Sequence, residues 1–165
     1  MREIQLEKIT LNIGVGAPGE NLERGFKLLK KLSNSKPIIT KTKKRIPTWG
    51  LRPDLEIATK VTIRGKEAEE LLKRLFVALS NKLSSRKFDS TGNFSFGIHE
   101  YLLIPGVSYD PEIGIIGLEI AVTLRRRGYR IARRVLKRKT ISNKHRIKKE
   151  EAIDFIRKKF GVTIE

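Results

Sequence analysis

Three glycines that follow an alternating segment near the N-terminus could form a phosphate-binding turn. Gly14, Gly16 and Gly19 have the G-x-G-x-x-G spacing of dinucleotide-binding loops, in which backbone N–H groups at the start of a helix hold a pyrophosphate. That chemistry needs an acidic residue about twenty positions later for the ribose, and positions 33–45 contain none. It also needs a buried parallel strand and further βα repeats, whereas positions 7–15 alternate between polar and apolar residues. The pattern favours a tight strand-to-helix turn whose backbone lies close to a partner.

A basic loop with an aromatic residue is the second candidate site. Two β-segments at 37–44 and 56–64 flank a loop at 45–55 that is too long for a tight turn and too rich in Pro and Gly for a helix. The approach to this loop carries basic residues and no acid: Lys36, Lys41, Lys43, Lys44 and Arg45. Trp49 follows beside Arg52, and basic charge around an exposed aromatic ring is typical of contact with a phosphate backbone and an unstacked base. The alternative is a solvated hairpin in which Trp49 folds back onto its own sheet.

Residues for catalysis or metal binding are scarce in this sequence. Cysteine is absent, which excludes thiolate sites, and His99 and His145 are too few and too far apart for a zinc site. The acidic groups at 67–70 and 150–154 lie where helices are expected to start, and the helix dipole explains them there. We predict no catalytic residue, no metal and no cofactor. A small nucleotide-dependent enzyme that uses the glycines at 14–19 is the competing hypothesis, and stabilisation by NAD or ATP would support it.

Positive charge is the strongest feature of the composition. The chain has 36 Lys and Arg against 18 Asp and Glu, a net charge of +18. Positions 125–149 contain no acid and the following basic residues: Arg125, Arg126, Arg127, Arg130, Arg133, Arg134, Lys137, Arg138, Lys139, Lys144, Arg146, Lys148 and Lys149. Such an excess destabilises a folded chain by self-repulsion unless a polyanion neutralises it, so nucleic acid is the predicted partner.

A membrane is the less consistent partner. The apolar residues of 125–149 form no broad helical stripe. No run of eighteen apolar residues occurs, and the N-terminal MREIQLEKI lacks the apolar block of a signal peptide. We therefore expect a cytoplasmic protein without a membrane partner.

The hydrophobic pattern predicts an α+β fold. Strands are predicted at 7–15, 37–44, 56–64, 92–104, 117–125 and 162–164, and helices at 20–32, 66–83 and 148–160. This order is typical of a mostly antiparallel sheet of about five strands with helices packed on one face, here with a projecting basic loop and a basic C-terminal extension. We predict one domain over 1–126, with 127–165 as the extension and a helix packed on the same domain.

Two strand patterns bear on where a nucleic acid would bind. The outward rows of two strands are polar and basic: Lys8, Thr10 and Asn12 on the first, and Lys60, Thr62 and Arg64 on another. These rows could dock RNA, although a merely solvated face has the same pattern. Phe94 and Phe96 share one parity without the residue order of an RNA-recognition strand. They are predicted to belong to the core.

Four stretches together resemble a known family. They are KITLNIGVG at 8–16, KPIITKTKK at 36–44, KVTIRG at 60–65, and GNFSFGIHEYLLIPGVSYD at 92–110 followed by GLEIAVT at 117–123. In order and spacing they resemble the universal large-subunit ribosomal proteins that bind 5S rRNA, fifth in the bacterial numbering and eleventh in the eukaryotic. The missing N-terminal helical extension and the arginine-rich ending resemble archaeal and eukaryotic members.

The resemblance implies a structural role without catalysis. Members attach 5S rRNA to the large-subunit rRNA in the central protuberance, beside neighbouring ribosomal proteins, and a loop approaches the peptidyl-site tRNA. Three residue sets are implied: Lys8, Thr10, Asn12, Gly14, Gly16, Asn93 and Ser95 for 5S rRNA; Lys43, Lys44, Arg45, Trp49 and Arg52 for the tRNA-facing loop; Arg125, Arg126, Arg127, Arg130, Arg133 and Arg134 for large-subunit rRNA. A monomer is expected off the ribosome. A free-standing RNA chaperone or a nonspecific nucleic-acid-binding protein remains the alternative.

Overall fold

Five of the seven strands form one antiparallel sheet in the computed structural model, which describes residues 1–165. The strands are β1 (Ile4–Gly14), β2 (Ile38–Lys41), β3 (Glu56–Ile63), β4 (Lys82–Leu83), β5 (Phe94–Ile98), β6 (Leu118–Arg126) and β7 (Thr163–Ile164). Their order in the large sheet is β2-β3-β1-β6-β5, and β4 pairs with β7 in parallel. Together with the helices, this confirms the predicted α+β class.

Three helices accompany the sheet: α1 (Glu20–Leu32), α2 (Lys66–Ala78) and α3 (Lys149–Phe160). α1 has the predicted bounds, with Glu20 and Glu23 in its first turn and Lys30 and Lys31 in its last, an arrangement that the helix dipole favours. α3 ends at Gly161, which adopts a left-handed conformation with φ 68° and confirms the predicted C-cap. None of the three helices has the length and apolar composition that crossing a lipid bilayer requires.

The predicted end of α2 was wrong. The apolar spacing suggested a helix to Leu83, but α2 stops at Ala78. Ser80 and Asn81 have φ values of 54° and 56°, and these left-handed residues turn the chain. Leu83 is buried as part of β4 instead of on a helix face, which is why its apolar character extended the helical pattern.

The predicted strand at 92–104 is shorter in the structure. β5 ends at Ile98, and a 3₁₀ turn follows over Tyr101–Leu103. Tyr101 is fully buried and its hydroxyl accepts a hydrogen bond from the backbone N–H of Asp110 at 3.2 Å. The chain leaves the strand because this side chain turns into the core.

The contacts within the chain divide it into two compact units. One, here called the terminal unit, consists of Met1–Ile9, Arg64–Ser95 and Val122–Glu165; the other, the loop unit, consists of Thr10–Ile63 and Phe96–Ala121. The predicted extension at 127–165 therefore lies within the terminal unit. The assignment of one domain to 1–126 stays a prediction.

Aromatic side chains form part of the core of the terminal unit. The ring centroids of Phe76 and Phe94 are 6.3 Å apart, and Phe160 meets Phe76 edge-on at 5.5 Å. Phe94 and Phe96, the latter in the loop unit, are 3% and 5% exposed. Both are core residues, as predicted, and neither is available to stack on a base.

In the loop unit, α1 packs closely on the strands beneath it. Gly25 makes this possible: a Cβ atom there would lie 3.2 Å from Thr59 Oγ1 and 3.3 Å from Ile13 Cγ2. Lys27 and Lys31 of the same helix bind Glu112 at 2.6 Å and Asp110 at 3.2 Å. These ion pairs fasten the irregular segment before β6 to α1.

Candidate nucleic-acid interface

The basic loop between β2 and β3 closes on itself at its tip. Ile46 and Leu51 form an antiparallel bridge with two backbone hydrogen bonds of 3.0 and 3.1 Å. Pro47–Trp49 form a 3₁₀ turn inside this bridge, and Gly50 completes it with φ 65°, a left-handed value that favours glycine. The tip is thus an ordered hairpin within a longer connection.

Thr42 holds the base of this loop. Its backbone N–H donates to Leu55 O at 2.9 Å, and its carbonyl accepts from Asp54 N at 3.0 Å. Its hydroxyl donates to the carbonyl of Arg52 and accepts from Leu55 N at 3.2 Å. Sequence reasoning missed this residue, because a threonine between lysines carries no pattern that marks a buried hinge point.

The tRNA-facing set lies together on the outside of the loop. Trp49 is 73% exposed, which excludes the alternative in which its ring folds back onto the sheet. Lys43, Lys44, Arg45 and Arg52 are exposed and have no carboxylate partner. The nearest ion pair, at 3.5 Å, joins Lys41 to Glu56. The loop therefore presents four uncompensated cations around an accessible aromatic ring.

The glycine turn after β1 does not have the geometry of a dinucleotide site. The backbone N–H groups of Val15 and Gly16 both donate to Ile57 O at 2.9 Å. These donors pair with β3, so they are not free for a pyrophosphate. Gly14 and Gly16 are exposed, which leaves their backbone open to a close partner.

Asn12 lies beside this turn in a shallow depression of the loop unit. The depression has a volume of about 330 Å³ and is lined by Asn12, Gly14, Gly97–His99 and Gly117–Glu119. The Asn12 amide donates to Glu119 Oε2 at 3.2 Å. Thr10 is half-buried on the same row of β1. The outward row therefore carries an acid next to its polar groups, a feature the parity argument did not weigh.

The remaining members of the 5S set, Lys8, Asn93 and Ser95, lie in the terminal unit. Lys8 is half-buried and Ser95 is exposed. The Asn93 side chain is already bonded within the protein. Its Oδ1 accepts from Leu124 N at 3.1 Å, and its Nδ2 donates to Asp89 Oδ2 at 3.2 Å. Asn93 thus holds the turn before β5 against β6.

The carboxylate that receives the Asn93 amide is stabilised in its charged form. Burial raises the pKa of Asp89, but hydrogen bonds from Thr91 and Asn93 act more strongly together and lower the pKa below its ordinary value. The turn at 89–93 is therefore held by an ionised carboxylate at neutral pH.

Arg126 is the internal anchor of the basic segment. It is 5% exposed, and its guanidinium donates to His145 O at 3.3 Å, to Arg146 O at 3.4 Å and to Glu151 Oε1 at 2.8 Å. The pKa of Glu151 is lowered, first by a hydrogen bond from the Lys148 backbone and then by Arg126, while burial opposes the shift. Arg126 is occupied inside the protein, although the resemblance placed it among the rRNA contacts.

Tyr129 makes a second tie in the same segment. Its hydroxyl donates to His145 O at 3.3 Å and accepts from Ile147 N at 2.9 Å. A ring nitrogen of His145 lies 2.9 Å from Arg127 O. The segment after β6 has only short 3₁₀ turns before α3, so side-chain ties of this kind hold it in place.

Arg133 binds the only acid of the buried row on β1. Glu7 is 7% exposed, and both of its carboxylate oxygens accept from the Arg133 guanidinium, with Nη2 to Oε2 at 3.0 Å. The hydrogen bond with Glu7 raises the pKa of Arg133. The sequence contains a signal for this pair, since an acid that shares the parity of Ile9 and Leu11 needs an internal cation.

The accessible part of the arginine set is smaller than the sequence suggests. Arg125, Arg127 and Arg130 are exposed and have no side-chain partner, and Arg134 donates only to the carbonyl of Lys137 at 2.9 Å. These four side chains keep their full charge for an outside ligand.

The fold and these surfaces define a class of protein: a basic α+β protein that presents two groups of uncompensated cations, the kind of surface that binds a polyanion. Two family models match the chain. The description "Ribosomal protein L5" fits residues 1–52, and the model for the C-terminus of the same ribosomal family fits residues 56–155. The chain belongs to the ribosomal protein L5 family, which confirms the resemblance drawn from its motifs.

Curated relatives support this membership over the full chain. The chain is similar to "Large ribosomal subunit protein uL5" of Nanoarchaeum equitans, 49% identical over 165 residues that cover 99% of this chain and 97% of the relative. The protein of the same name from Sulfurisphaera tokodaii is 48% identical, with 99% and 93% covered. That of Nitrosopumilus maritimus is 45% identical, with 99% and 95% covered. These relatives are archaeal, as the arginine-rich ending suggested.

Proposed function

We propose that this protein is a structural component of the large ribosomal subunit that binds 5S rRNA and helps to attach it to the large-subunit rRNA in the central protuberance. The full-length similarity to relatives named as large-subunit proteins carries this proposal. The net charge of +18 supports it, because a permanent RNA partner would neutralise a charge that destabilises the isolated chain. The protein would work in the cytoplasm as part of the ribosome and without catalysis.

Three surfaces would divide the work. The row with Thr10 and Asn12 and the exposed glycine turn would meet 5S rRNA, joined by Lys8 and Ser95 of the terminal unit. Backbone at Gly14 and Gly16 can approach a phosphate or sugar because no side chain stands in the way. For Asn93 the proposal is weaker in content, since its amide is used within the protein.

The exposed loop is proposed to face the peptidyl-site tRNA. Its cations would bind backbone phosphates and the Trp49 ring would stack on an unpaired base or a ribose. Its ordered tip supports this role, because a preformed hairpin loses less conformational entropy on binding than a flexible loop.

The accessible arginines after β6 are proposed to contact large-subunit rRNA. Arg125, Arg127, Arg130 and Arg134 lie on a segment that is held by Arg126 and Tyr129. A fixed backbone would present these guanidinium groups in a defined arrangement, which suits bidentate contacts with phosphates.

The proposal is tested by competition for 5S rRNA. Full-length protein should bind 5S rRNA in preference to a tRNA competitor, and the preference should persist through a salt series from about 50 to 200 mM, in which nonspecific binding weakens steeply. Equal affinity for 5S rRNA, tRNA and heparin would contradict the proposal and favour a free-standing RNA chaperone. Stabilisation by NAD or ATP would favour the nucleotide hypothesis, against which the paired N–H groups of the glycine turn already argue.

A further inference from the structure

An arginine-lined cleft opens where β1 begins and β6 ends, in the terminal unit. It has a volume of about 380 Å³, and its lining includes Gln5 and Glu7 from β1 and Arg125, Arg127, Arg130 and Arg133 from the other side. We call it the arginine cleft. That volume is ample for a phosphate group with its neighbouring sugar or for a small polyphosphate.

The charges within the arginine cleft are unevenly satisfied. Arg125, Arg127 and Arg130 have no side-chain partner. Glu7 is the single acid in the lining, and both of its oxygens are bound by Arg133. The cleft thus concentrates positive charge on one side while its only negative group is already neutralised.

The Glu7–Arg133 pair also fixes a donor at the cleft wall. The Glu7 side chain is 5% exposed, whereas that of Arg133 is 58% exposed, so the anchored end of the pair is inside and the guanidinium reaches the solvent. A guanidinium has five N–H donors in a rigid fork. Glu7 uses one on each terminal nitrogen, and the others remain for a ligand.

We infer that the arginine cleft is a binding site for a phosphate group, in which Arg130 and its neighbours are direct ligands and Glu7 orients Arg133 while weakening anion binding by its own charge. The phosphate can come from an RNA backbone or from a free polyphosphate anion. In the RNA case the inference deepens the proposed function and rests on it, because the site would then be one defined contact of the rRNA surface. In the other case it stands alone.

Two matched charge variants test the direct ligands. Arg130→Gln removes a cleft guanidinium, and Arg138→Gln removes an equal charge from an exposed arginine of the same segment outside the cleft lining. Binding of inorganic pyrophosphate and of a short RNA hairpin is measured by calorimetry at constant ionic strength. We expect Arg130→Gln to weaken pyrophosphate binding about tenfold, with Arg138→Gln close to wild type.

The two probes separate the sources of the phosphate. A selective loss in Arg130→Gln with both probes means that the site takes phosphate groups in general. A selective loss with the RNA hairpin alone means that it takes a backbone phosphate. If Arg130→Gln and Arg138→Gln bind each probe equally well, the inference is wrong.

Glu7→Gln tests the role of the carboxylate. The amide oxygen keeps one hydrogen bond to Arg133 and removes a negative charge from the lining, so pyrophosphate binding should strengthen about fivefold. Thermal unfolding of each variant shows that binding is compared between folded proteins. Unchanged or weaker pyrophosphate binding by folded Glu7→Gln would overturn the assigned role of Glu7.

The outcomes distinguish this inference from the proposed function. If wild-type protein prefers 5S rRNA while Arg130→Gln and Arg138→Gln behave alike, only the arginine cleft is wrong. If Arg130→Gln selectively loses pyrophosphate while wild-type protein shows no preference for 5S rRNA, only the ribosomal role is wrong.

Discussion

The guanidinium of Arg126 lies 2.8 Å from Glu151 Oε1, at the point where the end of β6 meets the first turn of α3. Arg126 is buried, and its other hydrogen bonds reach the carbonyls of His145 and Arg146. One side chain therefore ties three parts of a segment that has little regular secondary structure.

Arg126→Ala should destabilise the protein. The change removes an ion pair and leaves two carbonyls without their donor, which together cost about 2 kcal/mol of the free energy of unfolding. Urea denaturation measures this loss. Arg125→Ala is the matched control on the exposed neighbour, and its effect should stay within about 0.5 kcal/mol. Equal effects of the two variants would show that Arg126 is not an anchor.

The Glu151 carboxylate should make stability depend on acid pH. Its pKa is lowered from the ordinary 4.5 in the folded state, so its contribution is present above that value and is lost as the pH falls through the lower folded pKa. Wild type should therefore be more stable than Glu151→Gln at pH 7, and the difference should shrink as the pH falls below 4.5. Urea denaturation at a series of pH values measures it. A difference that is constant across this range would contradict the assignment.

The triple change of Lys43, Lys44 and Arg45 to Ala should leave the fold and 5S rRNA binding nearly intact while weakening tRNA binding. These side chains are exposed and have no carboxylate partner, so stability should change by less than about 0.5 kcal/mol. Filter binding with 5S rRNA and with tRNA measures the two affinities. Loss of 5S rRNA binding would mean that the roles of the loop and the sheet face are exchanged.

Thr59→Val should stabilise the protein. The Thr59 hydroxyl is buried without a hydrogen-bond partner, and valine has the same shape without the cost of burying that polar group. The expected gain is about 1 kcal/mol in the free energy of unfolding. Thr62→Val, on the same strand and partly exposed, should change stability less. A loss of stability in Thr59→Val would indicate that the hydroxyl has a role in the protein.

Much of the fold was predictable because its signals are local. The alternation of Leu118, Ile120, Val122 and Leu124 predicts the buried row of β6, since successive side chains in a strand point to opposite faces. The bounds of α1 follow from its charges and the Gly19 that precedes it. Local patterns failed at the end of α2, where an apolar Leu83 serves a strand as well as it would serve a helix.

The sequence by itself determined the α+β class, the strong positive charge and the family motifs, because alternation, composition and spacing are properties of neighbouring residues. Only the tertiary structure decided which cations remain available. Glu7 and Arg133 are far apart in the chain but form one ion pair, and Arg126 is taken up by Glu151, while Arg125, Arg127 and Arg130 stay unpaired. The physical reason is that charge compensation depends on distance in space, and burial raises its importance.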